Sequence, residues 1–351
     1  MTTTVDLLLP ELAAHDATSV HSLAIRDLLV DMGASVRIIT ERPTLLDEDV
    51  SLLRSWGGDA DLTILQHAIG SATAETVIKR RRPVVVNYHN ITPFEFIEPW
   101  APDEISGLRW GRVQLFQLAP LAIRGIADSA FNAIELASVG VEDVVVAPVL
   151  WGGTVGLRSV RAESVVGESP TVLFVGRVAP NKCHEDLISA FAVLVRWWPD
   201  ARLVLVGASS SVAYLEALEG LAVRLGVEGS VVFAGSVSDE ELAGWYSEAD
   251  VFVCVSEHEG FCVPLVEAMA WGVPVVAFGA AAVPETVGDA GVVLGVKDPV
   301  VVASAVDRVL SDVGLRESLI ARGRVRAEGF DLSVTREVMR EALAPVLPTT
   351  P

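Results

Sequence analysis

The sequence predicts an α/β protein made of two doubly wound, Rossmann-like domains with parallel sheets. Short β-branched runs alternate with amphipathic helical stretches along the chain, as βαβ units require. This alternation stops once, at a polar, Gly-rich stretch over 151–170, and then resumes. The length of 351 residues also fits two domains, at roughly 150 residues per domain.

The first alternating series predicts a domain over residues 1–160. It begins with the strand VDLLLP (5–10) and the helix VHSLAIRDLLVDMG (20–33). Its later strands are SVRIIT (35–40), ADLTILQH (60–67), PVVVNYH (83–89), GIADSA (125–130) and DVVVAPV (143–149). The amphipathic segment 109–125 is predicted to be a core-packed helix, with an acceptor- or membrane-facing surface as the alternative.

The second series predicts a domain over 161–330. It begins with the strand TVLFVG (171–176) and the helix KCHEDLISAFAVLVRWWP (182–199), and a final helix is predicted over 333–347. Its later strands are RLVLVG (202–207), VVFAGSV (231–237), DVFVCVS (250–256), PVVAFG (274–279) and GVVLGV (291–296). Ligands of such folds bind at the carboxyl ends of the strands, so the cleft between the domains is the expected site.

Composition and missing motifs exclude several functional classes. The net charge of −20 disfavours nucleic acid as a partner, and a wholly electrostatic attachment to anionic lipid. We see no signal peptide, no run long enough to span a membrane and no CxxC spacing among the three cysteines, which together predict a cytoplasmic location. No strand leads into a dinucleotide GxGxxG and no GxxxxGK[ST] occurs, which disfavours NAD enzymes and P-loop nucleotidases.

The loop GRVAPNK (176–182) gathers cations at a helix start. Gly176 ends the preceding strand and permits a close backbone approach. Arg177 and Lys182 follow on the loop, beside the positive end of a helix dipole, and this combination suits a diphosphate. A surface loop with two solvated charges is the alternative interpretation.

The stretch SEHEGFCVPLVEAMAWGVPVV (256–276) holds two glutamates around a predicted helix start. Pro264 suits the first turn of this helix and Gly272 its C-terminal end. Glu267 lies one turn inside the helix, where the helix dipole accounts for a carboxylate, but this does not explain Glu259 on the loop before it. The backbone N–H groups expected to be unpaired at this helix start belong to Phe261, Cys262 and Val263.

Polar side chains also mark two loops of the first domain. His89 ends the strand 83–89, where a ligand is expected, although a lone histidine is more often a satisfied core or surface group. Asp16, Thr18 and Ser19 lie between the first strand and the first helix. They are candidates for the helix cap, and Ser19 is also a candidate for holding a phosphate or an acceptor hydroxyl.

Three stretches of the second domain carry a family resemblance: FVGRVAPNK (174–182), FAGSVSDEELAGWYSEADVFV (233–253) and SEHEGFCVPLVEAMAWGVPVVAFGAAAVPETV (256–287). Together they resemble retaining glycosyltransferase family 4 (group 1), which has the GT-B fold. The first domain resembles the family more weakly, through YHNITPFEF (88–96) and ADSAFNAIEL (127–136). The resemblance implies an acceptor-side domain at 1–160, a nucleotide-sugar domain at 161–330, and a helix in 331–351 that crosses back to the first domain.

The resemblance also implies roles for the matching residues. Arg177 and Lys182 resemble the pair that neutralises the donor diphosphate. Glu259 and Glu267 resemble the family's EX7E pair, the first beside the donor sugar and the second accepting hydrogen bonds from the ribose. His89 resembles a histidine near a hydroxyl of the donor sugar. The further positions implied to bind the donor are Gly176, Ser236, Val237, Gly260, Phe261, Cys262 and Val263.

The implied activity is retaining, metal-independent transfer of a hexose, without a cofactor, in polysaccharide or glycoconjugate biosynthesis. The donor is a nucleotide sugar such as GDP-mannose or a UDP-hexose, and the acceptor a glycan, a lipid-linked glycan or a small molecule. Peripheral contact with the inner face of the membrane is compatible with this. A sugar-binding or nucleotide-sugar-binding protein without catalysis, and a GT-B phosphorylase or epimerase, are the alternatives.

The sequence departs from the family pattern at three places. The loop HDATS (15–19) stands where the family often has Gly-Gly, which puts the donor contacts of the first domain in doubt. Gly260-Phe261-Cys262 stands where the family commonly has Gly-Phe-Gly, and the thiol of Cys262 is expected to narrow the donor pocket. Cys183 likewise stands where glycine is frequent.

Overall fold

The computed structural model describes residues 2–13, 16–43, 50–152, 166–167 and 169–348. The chain forms two compact units. Unit 1 comprises residues 1–94, 103–151 and 331–351, and unit 2 comprises 95–102 and 152–330. The predicted boundary at 160, and most of the predicted linker 151–170, lie outside the described residues.

Unit 1 contains a seven-stranded, wholly parallel sheet with the order β3-β2-β1-β4-β5-β6-β7. Its strands are β1 (Thr4–Leu12), β2 (Ser35–Pro43), β3 (Val50–Leu52), β4 (Leu62–His67), β5 (Val84–Tyr88), β6 (Ala122–Ala127) and β7 (Val144–Val146). Its helices are α1 (Ala17–Asp31), α2 (Ala72–Arg80), α3 (Pro102–Leu118), α4 (Ala130–Ser138) and α12 (Leu332–Leu343). The doubly wound parallel sheet predicted from the sequence is confirmed for this unit.

The last helix belongs to unit 1. Met339 and Leu343 of α12 are 0% exposed and join the hydrophobic core under β1, β2 and β4. Arg336 of α12 forms an ion pair with Asp31 at 2.6 Å, and Arg124 of β6 donates to the carbonyl of Ala342 at 2.6 Å. The segment after residue 330 is therefore fixed to the first sheet by apolar packing and by polar contacts.

Unit 2 contains a six-stranded, wholly parallel sheet with the order β10-β9-β8-β11-β12-β13. Its strands are β8 (Thr171–Val175), β9 (Arg202–Val206), β10 (Val231–Gly235), β11 (Val251–Cys254), β12 (Val275–Phe278) and β13 (Gly291–Leu294). Its helices are α5 (His184–Leu194), α6 (Val212–Leu225), α7 (Asp239–Glu248), α8 (Val263–Ala270), α9 (Val283–Val287), α10 (Pro299–Ser311) and α11 (Val313–Glu328). This sheet confirms the second predicted doubly wound domain.

The direction of winding reverses between β8 and β11, which lie side by side in the sheet. The chain leaves β8 towards β9 on one side, and leaves β11 towards β12 on the other. In doubly wound sheets this switch point opens a crevice at the carboxyl ends of the two strands. The loops 176–182 and 255–262 therefore start at its two sides.

The segment 109–125, predicted as one core-packed helix, divides in the structure. Helix α3 ends at Leu118, and after a short 3₁₀ turn β6 begins at Ala122. The prediction failed here because it ran through Pro120, which lies in this 3₁₀ turn and cannot continue the helix. One face of α3 is buried, while Trp110, Val113 and Phe116 on the other are 40%, 54% and 63% exposed. Among the described residues, no helix combines the length and the apolar character that crossing a membrane requires.

Candidate active site

The loops on either side of the unit 2 switch point are joined by an ion pair. Lys182 ends a short 3₁₀ turn after β8, and Glu259 lies on the loop after β11. The Lys182 Nζ atom lies 2.6 Å from both carboxylate oxygens of Glu259. The two side chains are only 17% and 8% exposed. Sequence analysis assigned both residues to the donor site, and the structure brings them into direct contact.

The environment of Lys182 keeps its ammonium group charged. Burial by itself would lower the pKa of Lys182, but the negative charge of Glu259 and the hydrogen bonds to it raise the pKa above its ordinary value. The crevice therefore holds a fixed positive charge and a fixed negative charge side by side. A charged ligand that binds here meets both without having to order them first.

Two residues that the sequence analysis did not single out hold these loops together. Asn181 is buried; its side-chain amide donates to the carbonyl of His258 at 3.2 Å, and its backbone carbonyl accepts from the Glu257 N–H at 3.0 Å. Lys297 forms ion pairs of 2.6 Å with both Asp186 and Glu257. The pairing of β8 with β11 brings Asn181 to the second loop, and the position of β13 in the same sheet brings Lys297 there, so no local pattern could have revealed them.

The start of α8 has the form that its sequence predicts. Pro264 lies in the first turn, and Cys262 is the N-cap residue in a left-handed conformation with φ of 71°. Thr286 of α9 donates to the carbonyl of Phe261 at 2.6 Å and fixes the loop from behind. Across the described ranges, no protein acceptor receives the backbone N–H groups of Phe261, Cys262 and Val263. These groups form a positive helix end that an anion can occupy.

The second glutamate of the pair is buried inside unit 2. Glu267 lies in α8 and is 5% exposed, and one of its carboxylate oxygens accepts a 2.7 Å hydrogen bond from the Tyr246 hydroxyl. Burial and the charge of Glu267 raise the pKa of Tyr246 well above its ordinary value, so this hydroxyl stays protonated and donates. Tyr246, in the sequence GWYSEAD, was not identified from the sequence, although a tyrosine in an acidic segment was a usable signal.

Glycines allow the other loops of unit 2 to approach β8. Gly207, at the end of β9, has φ of 142°, and a Cβ atom there would lie 2.1 Å from the carbonyl oxygen of Gly176. Arg177 follows Gly176, is exposed, and has no ion-pair partner in the part of the chain that the structure describes. Ser236 is exposed and Val237 partly exposed on the loop after β10. These loops all lie at the carboxyl edge of one sheet.

Two thiols lie next to this ion pair. Cys254 ends β11 and donates weakly to the Ser256 hydroxyl at 3.4 Å. A hydrogen bond with Cys262 lowers the pKa of Cys254, while the same bond and burial raise the pKa of Cys262. Cys183 is buried apart from them in the hydrophobic core, and burial raises its pKa to about 12. Cys254 and Cys262 thus form a pair, which the sequence analysis did not predict because it sought only CxxC spacing.

His89 lies in unit 1, just after β5. Its Nδ1 atom is 2.8 Å from a carboxylate oxygen of Asp128, and its Nε2 atom is 2.5 Å from the side-chain amide of Gln66. The buried His21 ring meets it edge-on, with 5.1 Å between the ring centroids. Both ring nitrogens of His89 are therefore occupied within unit 1. His21, His89 and Asp128 also bring possible metal ligand atoms within 4.8 Å, but these hydrogen bonds already use the atoms of His89.

The hydrogen bonds fix which nitrogens carry protons in this network. The Leu150 N–H donates to Nδ1 of His21 at 2.8 Å, so a neutral His21 carries its proton on Nε2. Burial and then the neighbouring His89 keep the pKa of His21 well below its ordinary value. A half-turn of the Asn87 and Gln66 amides lets Asn87 accept from His21 and lets Gln66 donate to His89. His89 then donates from Nδ1 to Asp128.

The predicted loop at the start of α1 is held by its own side chains. Asp16 is the N-cap residue, and its carboxylate accepts from the backbone N–H of Ser19 at 2.8 Å and from the Ser19 hydroxyl at 2.9 Å. The Ser19 hydroxyl also accepts from the Ala13 N–H at 3.0 Å, and the residue is fully buried. Thr18 is partly exposed and its carbonyl accepts from Ser22 at 2.7 Å. His15, in the same loop, lies outside the described residues.

The part of the chain that carries the ion pair resembles known proteins. The profile of a family described as "Glycosyl transferases group 1" matches residues 158–326, which include both loops of the ion pair. We call residues 158–326, which this profile matches, the group 1 domain. Within this group 1 domain lie Arg177, Lys182, Glu259 and Glu267.

Curated relatives match about half of this chain. The D-inositol 3-phosphate glycosyltransferase of Frankia alni is 36% identical over 186 residues, 50% of this chain and 46% of that protein. A GDP-mannose-dependent alpha-(1-6)-phosphatidylinositol monomannoside mannosyltransferase of Mycolicibacterium smegmatis is 36% identical over 168 residues, 45% of this chain and 43% of that protein. The matches thus span less than half the length of these relatives.

Likeness to solved structures extends to the whole chain. The structure of Anabaena Alr3699/HepE in complex with UDP and glucose covers 98% of this chain and 100% of its own, with a TM-score of 0.77 and 19% identity. At that identity the likeness establishes the fold alone. Together with the two parallel, doubly wound sheets, it confirms that the group 1 domain and unit 1 form the GT-B fold predicted from the sequence.

Proposed function

We propose that the chain is a retaining hexosyltransferase. In this proposal it transfers mannose or glucose from a nucleoside diphosphate sugar to a glycan, a lipid-linked glycan or a small-molecule acceptor. The donor is GDP-mannose or a UDP-hexose, and the transfer chemistry needs no metal ion. Similar proteins support both donor types, since one relative is named as GDP-mannose-dependent and one solved structure is a complex with UDP and glucose.

The contact between Lys182 and Glu259 carries this proposal. It joins the two sides of the switch-point crevice, 2.6 Å apart, beside the unpaired N–H groups at the start of α8. Lys182 and the exposed Arg177 supply the positive charge that a diphosphate needs. Glu259 supplies a carboxylate next to that diphosphate, where the sugar of the donor is attached. A purely structural ion pair would not require a helix end whose N–H groups, or an arginine whose guanidinium, have no partner among the described residues.

The proposed chemistry follows from these charges. The bond between the anomeric carbon and the diphosphate breaks, and negative charge develops on the leaving phosphate, where Lys182, Arg177 and the helix end stabilise it. The anomeric carbon passes through an oxocarbenium-like state, which the carboxylate of Glu259 stabilises electrostatically. The acceptor oxygen bonds to the same face of the sugar, and the leaving phosphate takes its proton. Glu267, held by Tyr246, is proposed to accept from the ribose hydroxyls.

We also propose a cytoplasmic enzyme that contacts the inner face of the membrane peripherally. The support is the exposed face of α3, where Trp110, Val113 and Phe116 stand free of the core beside Arg109. Such a surface would give access to a lipid-linked acceptor. Sedimentation with anionic vesicles tests this proposal. Phe116→Ser should lower the binding to vesicles, whereas Val325→Ser, which changes an exposed valine of another helix, should not.

A donor screen tests the main proposal. Wild-type protein is heated with GDP, UDP, dTDP and ADP and with their sugars, and the stabilised donor is then incubated with candidate acceptors. We expect one nucleotide to raise the melting temperature, and Glu259→Ala and Lys182→Ala each to reduce transfer by orders of magnitude. Near-normal transfer by both variants, or binding of free sugar without any nucleotide affinity, would contradict it. Epimerised donor or free sugar phosphate would favour an epimerase or a phosphorylase.

A further inference from the structure

The loop between β11 and α8 brings three metal-ligating groups together. Cys254 is the last residue of β11 and Cys262 is the N-cap of α8, so the two thiols stand at opposite ends of the loop that carries Glu259. Both sulfur atoms and a carboxylate oxygen of Glu259 lie within 4.8 Å of one another. Cys254 and Glu259 are 1% and 7% exposed, whereas Cys262 is partly exposed.

We propose that Cys254, Cys262 and Glu259 bind one thiophilic divalent cation, with Zn²⁺ as the physiological example. Thiolate sulfur and carboxylate oxygen are ligands that zinc takes, at about 2.3 Å and about 2.1 Å. Ligand atoms of a tetrahedral site with these bond lengths are about 3.5–3.8 Å apart. Because the three ligand atoms already lie within 4.8 Å of one another, side-chain rotations that move each atom by about 1 Å complete the site.

The local charges balance around such a cation. On binding, each thiol releases its proton to the solvent, so the two thiolates and Glu259 supply three negative charges. The divalent cation and the ammonium group of Lys182, 2.6 Å from the Glu259 carboxylate, supply three positive charges. A partly buried site without net charge avoids most of the desolvation penalty of an uncompensated ion.

The ligand set is that of an open site. Within the described ranges, no further His, Cys, Asp or Glu joins the group of three. Three protein ligands leave the fourth position of a tetrahedral zinc ion to water or to another small ligand. The cation is therefore expected to exchange with the solvent, and it is distinct from the group-transfer chemistry proposed above.

A disulfide between the two cysteines is the competing interpretation. It would need an oxidant, and the two sulfur atoms would have to approach to about 2.05 Å. Neither Glu259 nor Lys182 has a part in a disulfide. In the cation site, Glu259 is a ligand and Lys182 balances the charge. For this reason the geometry favours a cation over a disulfide.

Binding of the cation has a consequence that rests on the proposed function. A cation ligated by Glu259 and Cys262 occupies the end of α8 and draws the Glu259 carboxylate towards the thiols. The donor sugar is proposed to bind at the same place. The cation and the nucleotide sugar are therefore expected to exclude each other, which makes the cation a reversible inhibitor.

Cadmium titration of the untagged, reduced and metal-free protein tests the site itself. Cd²⁺ bound to thiolates has an ultraviolet charge-transfer absorption, which counts the thiolates and gives the affinity. We expect saturation at one equivalent, and at least a 100-fold weaker affinity in Cys254→Ser and in Cys262→Gly. Loss of an outer-shell partner typically weakens metal binding by roughly 10–100-fold. Glu259→Gln removes a direct ligand, so it should weaken binding by at least as much. Cys262→Gly suits the left-handed backbone at this position and so protects the fold.

Cys183→Ser is the matched control, because Cys183 is equally buried but stands outside the group. It should leave the absorption and the affinity unchanged. The site would be overturned if the wild-type protein had three titratable thiols but bound no Cd²⁺. It would also be overturned if either Cys254→Ser or Cys262→Gly bound Cd²⁺ with the wild-type affinity. A disulfide that forms in air, together with a reduced form that binds no Cd²⁺, would overturn it too.

A second measurement separates this site from the proposed function. The thermal shift caused by the stabilising nucleotide is recorded with and without Cd²⁺. Loss of the shift in the wild type and its persistence in Cys254→Ser support competition. Cadmium binding with an undiminished nucleotide shift keeps the cation site and overturns the competition, while the absence of any nucleotide shift bears on the proposed function alone.

Discussion

Lys182 and Glu259 are 77 positions apart in the chain, yet the lysine Nζ lies 2.6 Å from both oxygens of the carboxylate. The pairing of β8 with β11 brings the two loops together, and the low exposure of both side chains keeps water from screening the contact. The ion pair is therefore both a link between two loops and the charged centre of the candidate site.

Removing one member of this pair should destabilise the protein more than removing both. Glu259→Gln or Lys182→Met leaves the other charge without a partner, at a cost of about 3–5 kcal/mol for a buried pair. The double variant should lose much less than the sum. Urea unfolding in a double-mutant cycle measures this, with the exposed pair Arg202–Glu248, expected to contribute about 0–1 kcal/mol, as the control. Equal interaction energies for the two pairs would contradict the account.

Tyr246→Phe should lower the stability of unit 2, because it removes a hydrogen bond to Glu267. The substitution leaves a buried carboxylate without a hydrogen bond that it now accepts at 2.7 Å. The expected loss in the free energy of unfolding is about 1–3 kcal/mol. Adding Glu267→Gln should recover part of it, since a neutral amide is less costly to bury than a charge. A loss of the same size in the two variants would mean that packing alone is responsible.

Acid should destabilise the fold through buried histidines. Burial, followed by the charge of Lys182, lowers the pKa of His184 to about 3, and burial lowers that of His67 to about 4. The unfolded chain binds these protons below about pH 6.5 and the folded chain does not, so stability is full above that pH and falls as the pH drops towards the folded-state pKa values. Each histidine should account for about 2 kcal/mol at about pH 5.

The acid dependence can be assigned by substitution. His184→Phe keeps an aromatic ring beside Phe174, whose ring centroid lies 4.6 Å from that of His184, and removes one titrating group. Urea unfolding between about pH 7.5 and about pH 5 should then show a shallower loss of stability. An unchanged slope in this variant would contradict the role of His184.

Gly207→Ala should be strongly destabilising because the loops after β8 and β9 approach closely. The new Cβ would lie 2.1 Å from the Gly176 carbonyl oxygen, on a backbone with φ of 142°. We expect a loss above about 4 kcal/mol, the range seen for severe steric conflict. Gly229→Ala is the control, because no atom lies within 4 Å of its Cβ position, and it should have little effect. Similar thermal unfolding of the two variants would contradict the close approach.

The elements that sequence patterns predicted are those with strong local signals. β-branched runs predicted both sheets, and Pro264 with Gly272 predicted the helix α8 closely. The strand β3 was not predicted, because Val50–Leu52 is too short to show alternation. Asn181 and Tyr246 were not predicted either, since their contacts depend on how separate elements pack. The pair Cys254–Cys262 spans one loop and was missed because only CxxC spacing was sought. Charge and glycine patterns thus indicated the residues that we propose to bind the donor, but not the residues that hold them in place.

Calorimetric titration of the nucleoside diphosphate selected by the donor screen tests the central claim most directly. Wild-type protein should bind it at one site, and Lys182→Ala and Arg177→Ala should each weaken binding by at least about tenfold, because each removes a charge-assisted hydrogen bond. Arg202→Ala, at the amino end of β9, removes the same charge from the opposite edge of the sheet and should leave binding unchanged. Full affinity in Lys182→Ala, or equal losses in all three variants, would contradict a donor site at the Lys182–Glu259 pair.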